Sequence, residues 1–562
     1  MQLSGLSQTA GDGASAPTRR RLPLPGPWGT VALVIGALAA LPILAVVMAA
    51  PAGGFDAIAH LARTVLWRYA ANTALLMLLA GGLAAIVGTG CAWLVAATRF
   101  PGRSLFAWAL VLPLAVPPYI AAYVYADLLD FSGPMQTALR TYTGWAPGDY
   151  AIPDIRSLAG GAFVLGIVLY PYVYLLARTA FAAQSARQVL AARSLGARPW
   201  TVFRRIALPA ARPAIAGGLA LVLMEVLADF GVADYFAIPT FSTGIFRSWL
   251  AMGDRQAALK LAALMLLFVI LLVAMEARAR SGRSDSRDGH AGAHGEPFFR
   301  LSDTQQWLAA AACAVPLLLG FVVPAARLGW LAVGESGAGA ISGTDLWSYV
   351  GNSALLGLVV AAACIMSAFV LVLAKSRARG PLMSGAVRFA TLGYALPGAL
   401  LAVGLLTPLG ALDTGISRFA RDELGYAGGL ILSGTGIVLV YALSVRFLTV
   451  AFNTLDGGMS KIPPALDAAA RSLGAAPGRV FAQIHGPLLA PSGAAATALV
   501  AIDTLRELPA TLILRPFNFE TLATRTYRLA SDERLAEAAW PALILLAAGL
   551  LPVLLLTRAR KR

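Results

Sequence analysis

The sequence predicts an all-α polytopic membrane protein of about twelve transmembrane helices in two homologous six-helix halves. Three observations carry this expectation: an apolar composition, a succession of helix-length apolar stretches, and an internal repeat. Of 562 residues, 58% are hydrophobic and 13% are charged, against about 45–50% and about 25% in soluble domains. Mean hydropathy is +0.72. These values exclude an ordinary soluble enzyme, a disordered chain and a disulfide scaffold. The formal charge of +16 comes without a base-reading motif or zinc-ligand spacing. It is therefore assigned to loops flanking a lipid bilayer, not to nucleic acid. Cys91, Cys313 and Cys364 sit in apolar stretches and read as small core or lipid-facing residues, with no metal or disulfide site implied.

A hydrocarbon core of about 30 Å needs about 20 apolar helical residues. Candidate spans fall at 29–50, 71–98, 105–127, 159–177, 213–235 and 257–275. A second set falls at 305–331, 351–374, 389–411, 428–445, 488–514 and 537–557. The first apolar run, Val31 to Ala50, exceeds the roughly 7–15 residues of a cleavable signal core and reads as a retained helix. Basic residues collect in alternate loops, at Arg19–Arg21, Arg99/Arg103, Arg178–Arg212, Arg278–Arg300, Lys375–Arg388, Arg446–Arg479 and Arg558–Arg562. The excess of positive charge on that side makes it, and both termini, cytoplasmic.

The repeat is explicit. Ala191-Ala192-Arg193-Ser194-Leu195-Gly196-Ala197 recurs unchanged 278 positions later as Ala469-Ala470-Arg471-Ser472-Leu473-Gly474-Ala475. Trp67-Arg68-Tyr69-Ala70-Ala71-Asn72-Thr73-Ala74 is similar to Trp347-Ser348-Tyr349-Val350-Gly351-Asn352-Ser353-Ala354 at an offset of 280, and Pro117 answers Pro397. Residues 1–277 and 301–562 then form two halves entering the membrane in the same direction, joined by a polar cytoplasmic linker at 278–300.

Each repeated heptapeptide lies in a cytoplasmic loop, at about 187–212 and 465–490. The first copy reads Leu190-Ala191-Ala192, three residues, Gly196, nine residues, Ile206-Ala207-Leu208-Pro209; the second reads Ala468-Ala469-Ala470, Gly474, Ile484-His485-Gly486-Pro487. This pattern resembles the EAA loop of ATP-binding-cassette (ABC) importer permeases, with Leu190 and Ala468 where that family has Glu and Gly486 where it has Leu. The resemblance implies a type I permease fold whose loops, through Ala191, Ala192, Arg193, Gly196, Ile206, Leu208, Pro209, Ala469, Ala470, Arg471, Gly474, Ile484 and Pro487, dock two copies of a cytoplasmic ATPase. Glycine suits the turn after each short helix. No lysine stands in a Gly-Lys-Ser/Thr context, so a P-loop is not expected in this chain. ATP is used by a partner, and neither a cofactor nor a resident metal is expected here.

Ionisable residues at bilayer depth are costly and default to functional candidates. Glu225 and Asp229 are matched at the 278 offset by Asp503 and Glu507, each pair spaced i,i+4 as on one helix face. They read either as a translocation pathway or as structural groups paired with Arg506 or capping helices. Gly231 and Pro509 follow at matching places and predict a break after each pair. The segment from Asp503 to Thr524, with Ala228-Asp229-Phe230-Gly231 and Thr240 to Ile245, is similar to the fused double permeases of ferric iron importers. That resemblance implies a bacterial inner-membrane location and a periplasmic ferric-binding protein as partner. Hard Fe(III) suits carboxylate oxygens. Another small solute, such as thiamine or a phosphonate, stays open on the same architecture. A gradient-driven carrier is the rival of a different class, since parallel six-plus-six repeats occur there too.

Overall fold

The computed structural model describes residues 27–49, 51, 59, 62–146, 148–183, 191–192, 194–281, 299–334, 343–377, 381–425 and 430–559. Most of the expected linker, and Arg193 of the first loop, lie outside the described residues. Among those described, the only strands are Thr98–Arg99 and Phe299–Arg300, which pair in parallel; the rest of the regular structure is helical.

Among the described residues, eleven helices are long and apolar enough to cross a bilayer. A twelfth results if Arg103–Ala115 and Pro118–Thr143, bent by 89°, count as one broken span. The straight span expected at 105–127 is thus corrected. Val116 precedes Pro117 and is extended (ψ 117°), and Pro117 itself precedes Pro118 with ψ 133°, because a following proline ring disfavours helical backbone. The span expected at 428–445 is instead Ile437–Met459. Its onset is delayed by buried Asp413, whose carboxylate accepts the N–H groups of Ile431, Leu432 and Ser433 at 2.7–3.0 Å. The backbone donors of this loop are satisfied without a helix. One consequence is that Arg446, expected at the edge of a cytoplasmic loop, lies inside a helix.

Corresponding helices form corresponding bundles. In the first half, Trp67–Ala97, Leu158–Ala182 and Leu208–Ala228 pack on one another; in the second, Gly343–Arg377, Ile437–Met459 and Gly486–Arg506 do the same. The first span of each half leaves its own bundle. Pro27–Ala49 lies against Pro381–Ala390 and Gly398–Leu424, while the 303–334 segment lies against Trp67–Ala97 and Pro118–Leu129 of the first half and against Leu535–Ala559 of its own. Close approach is permitted where a side chain is missing: a Cβ on Gly404 would sit 2.7 Å from the Pro42 carbonyl, and one on Gly320 the same distance from that of Ile167. A tyrosine from the opposite half ties each first span, although the two are not counterparts in the repeat. Tyr441 Oη donates to the Leu38 carbonyl and Tyr125 Oη to that of Leu319, both at 2.6 Å. Arg327 adds an ion pair to Asp127 at 2.6 Å. Free cysteines Cys91 and Cys313 adjoin at the same contact, a meeting their sequence positions do not suggest.

Candidate functional site

The acidic pairs sit where two matching spans break. The fifth span, Pro199–Ala228, and the eleventh, Gly478–Arg506, stop at Asp229 (ψ 130°) and Glu507 (ψ 122°). Short helices Gly231–Tyr235 and Pro509–Leu514 follow. Pro509 lacks the N–H a continuing helix needs. A Cβ on Gly231 would approach Tyr119 Cβ to 2.5 Å, so the turn there needs glycine. The break is where the sequence places it. Asp229 and Glu507 are the C-terminal cap residues, with helical φ (−65° and −73°) and extended ψ, so each carboxylate still stands one turn beyond Glu225 or Asp503 while the chain after it turns away.

Both also cap the helix that follows. Asp229 Oδ2 accepts the Ala233 N–H at 3.1 Å. Glu507 is buried, and its two carboxylate oxygens accept the N–H groups of Ala510 and Thr511 and the Thr511 hydroxyl, each at 3.0 Å. An anionic acceptor at a helix N-terminus is doubly favoured, by the orphan donors and by the dipole.

The repeated Asn-Thr/Ser motif holds the chain beyond each break. Asn72 donates to the Pro239 carbonyl at 3.1 Å and Asn352 to that of Glu520 at 3.0 Å. Thr73 Oγ1 accepts the Phe241 N–H and Ser353 Oγ the Leu522 N–H. Capping boxes Thr240/Thr243 and Thr521/Thr524 start the returning helices.

All four carboxylates line one cavity of about 150 Å³ between the halves, with Tyr119, Tyr172, Tyr394, Arg446 and Arg506. Their environments differ. Glu225 Oε1 accepts the Tyr394 hydroxyl at 2.9 Å. Asp503 has no hydrogen bond or ion pair among the described residues. Arg446 lies 4.0 Å from Glu507 and donates to the Leu396 carbonyl; Arg506 donates to the Leu114 carbonyl at 2.6 Å and pairs with none of the acids. Four carboxylates face two guanidiniums, so the lining is acid-rich. No three His, Cys, Asp or Glu side chains among the described residues converge to hold a metal ion. Sequence reasoning missed the three tyrosines and Arg446. The available signal was polar-tipped aromatic residues inside otherwise apolar spans.

The loops at the opposite end of these spans repeat in detail. Gly196 and Gly474 take φ +79° and +76°. The Ala197 N–H reaches back to the Ala192 carbonyl and the Ala475 N–H to that of Ala470, both at 3.0 Å. This is the Schellman arrangement that ends a helix on a left-handed glycine. Leu195 and Leu473 are 87% and 86% exposed. Beyond them come matching π-turns, Phe203–Ala207 and Phe481–His485, so Pro209 and Pro487 enter as second residues of the following helices. Ala192 and Ile206 pack beside Val202, Trp93 and Phe299. One difference between the loops is a side-chain pair: Asp467 meets His485 at 2.7 Å, where the first loop has Val189 and Ala207 in sequence.

Comparison with known proteins accords with this architecture. Residues 88–280 match the family model described as binding-protein-dependent transport system inner membrane component. The chain is 27% identical over 534 residues, 94% of its length and 98% of the relative's, to the Fe(3+)-transport system permease protein FbpB 2 of Haemophilus influenzae. It is 30% identical over 162 residues, 29% of this chain and 53% of the relative, to the sulfate transport system permease protein CysW of Escherichia coli. Over 145 residues, 26% of this chain and 60% of the relative, it is 30% identical to the molybdenum transport system permease protein ModB of Haemophilus influenzae. Residues 88–280 form a domain of the binding-protein-dependent transport system inner membrane component family, and the similarity of almost the whole chain to an Fe(3+) permease supports an ABC importer permease, a membrane transport subunit.

Proposed function

We propose that this chain supplies both membrane halves of a ferric iron importer of the bacterial inner membrane, with both termini cytoplasmic. A periplasmic binding protein delivers the ion. Two copies of a separate ATPase dock on the loops around Gly196 and Gly474, and their closure rocks the halves between outward and inward access. The chain itself binds no cofactor and hydrolyses no ATP. Glu225 and Asp503 act as pathway groups, while Asp229 and Glu507 shape the pathway by capping its broken helices.

The observation that carries the reading is the acid-rich cavity between two matching helix breaks, in a chain alignable almost end to end with a ferric permease. Carboxylates spread around a cavity suit a hard cation that must leave again. Arg446 and Arg506 favour a second reading, an oxyanion, in line with the sulfate and molybdenum permeases. Against it, both guanidiniums are engaged with backbone carbonyls, and the four carboxylates outnumber them. Uptake of radiolabelled ferric iron, sulfate and molybdate in iron-starved cells, with the gene intact and deleted, tests the choice. Deletion should abolish ferric uptake and leave both oxyanions unchanged. The reverse pattern moves the assignment to oxyanions, and loss of none of the three moves it to an organic solute.

A further inference from the structure

The two halves match closely in backbone, but the repeat departs at cavity positions that carry chemistry. At the offset of 278, Tyr172 answers Val450, Arg446 answers Val168 and Arg506 answers Ala228; at 280, Tyr394 answers Leu114 and Tyr119 answers Ala399. These departures fall in one lining. Arg446 and Arg506 gather near Glu507, whose oxygens are already committed to its cap. In the same lining, Tyr394 donates to Glu225 at 2.9 Å and adjoins Tyr172, which also feels the charge of Arg506. Asp503 lines the same cavity and interacts electrostatically with Glu225 and with both arginines. Tyr119, only 5% exposed, brings to the same cavity a hydroxyl with no hydrogen-bond partner. A buried hydroxyl left unpaired costs about 1–3 kcal/mol; this one neighbours Arg506 and Glu507 and is not part of the Tyr172/Tyr394 pair.

We propose that Tyr172 and Tyr394, backed by Glu225, form a waypoint that holds a trivalent hard cation by phenolate oxygens during passage. The inference rests on the ferric reading above and adds a donor type that carboxylates alone do not supply. As the metal–oxygen bond forms, the phenol O–H breaks. The Tyr394 proton passes to Glu225, which already accepts that hydrogen; the Tyr172 proton passes to a hydroxide ligand carried by the hydrolysed ferric ion, which leaves as water, and no electron moves. Two phenolates and a passing contact with Asp503 fall short of a full ligand shell, so the ion keeps water and departs.

The test uses the intact complex in lipid nanodiscs and proteoliposomes, with ferric nitrilotriacetate as the probe and the binding protein added for transport. Ferric phenolates absorb visible light, and neither carboxylates nor phenols alone do. Wild type should develop a visible band on ferric addition. Tyr172→Phe and Tyr394→Phe should weaken it, and the double variant should lose it, with ferric transport slowed about ten- to a hundredfold. Binding-protein-stimulated ATP hydrolysis should persist, showing that the variants fold and couple. The inference is overturned if wild type transports ferric iron without the band. It is overturned equally if the double variant keeps the band or the wild-type rate. Wild type that moves no ferric iron removes the underlying functional reading and this site with it.

Discussion

Glu507 is a helix cap in a cavity where Asp503 is a free carboxylate, and substitution separates the two roles. In Glu507→Ala, the N–H groups of Ala510 and Thr511 lose their acceptors, each worth about 1–3 kcal/mol when buried. Arg446, 4.0 Å away, loses its nearest counter-charge. Removing one member of a buried ionic arrangement costs about 3–5 kcal/mol, and the two estimates agree. Glu507→Gln keeps one acceptor and presents an NH₂ to the other donor, so its cost is about 1–3 kcal/mol. Asp503→Asn breaks no hydrogen bond and should leave stability unchanged while slowing ferric transport. The assay is the thermal unfolding midpoint of purified protein in detergent, followed by intrinsic fluorescence, alongside uptake normalised to folded protein. The expected order of midpoints is wild type and Asp503→Asn together, then Glu507→Gln, then Glu507→Ala. If Glu507→Ala keeps the wild-type midpoint yet abolishes uptake, Glu507 is a pathway group and the capping argument fails.

Further expectations concern the loops, the far end of the cavity and the exchange of first spans. Leu195→Asp with Leu473→Asp alters two exposed side chains, so unfolding should be unchanged while ATPase co-purification is lost; retained co-purification would move the docking surface elsewhere. Tyr527 Oη donates to Asp234 Oδ2 at 2.6 Å between the halves, a tie worth about 0.5–1.5 kcal/mol. Tyr527→Phe should raise ATP hydrolysis in the absence of binding protein, and an unchanged basal rate would count against a gating role. Because Pro27–Ala49 and the 303–334 segment pack across the halves, residues 1–281 and 299–562 expressed as two chains should co-purify and restore uptake; halves that fail to associate would contradict the importance of the exchange.

Much of this was legible in the sequence because a repeat reports correspondence without needing distances. The matching of Glu225 with Asp503 and of Asp229 with Glu507, the breaks at Gly231 and Pro509, and the loop glycines all follow from residue type and offset. What the sequence hid depends on backbone position or on distant contacts. The Asp413 carboxylate delays a helix through donors 18–20 residues away, and with that shift Arg446 moves from loop to cavity. The caps at Asp229 and Glu507 were one of two open readings; spacing alone cannot separate a helical residue from one just past the helix end. Tyr172 and Tyr394 are 222 positions apart, and no local pattern announces that they meet. Nor does apolarity say which bundle a first span joins, since lipid-facing and protein-facing helices are similarly apolar.

The most direct test of the central claim is ATP-driven transport by the reconstituted importer, with wild type compared against the Glu225→Gln/Asp503→Asn double variant. Radiolabelled ferric iron is supplied on its binding protein to proteoliposomes carrying the ATPase and a trapped chelator. The account predicts accumulation by wild type and a loss of about tenfold or more in the double variant, with ATP hydrolysis still stimulated by the loaded binding protein. Undiminished ferric accumulation by the double variant would contradict a pathway through the acid-rich cavity.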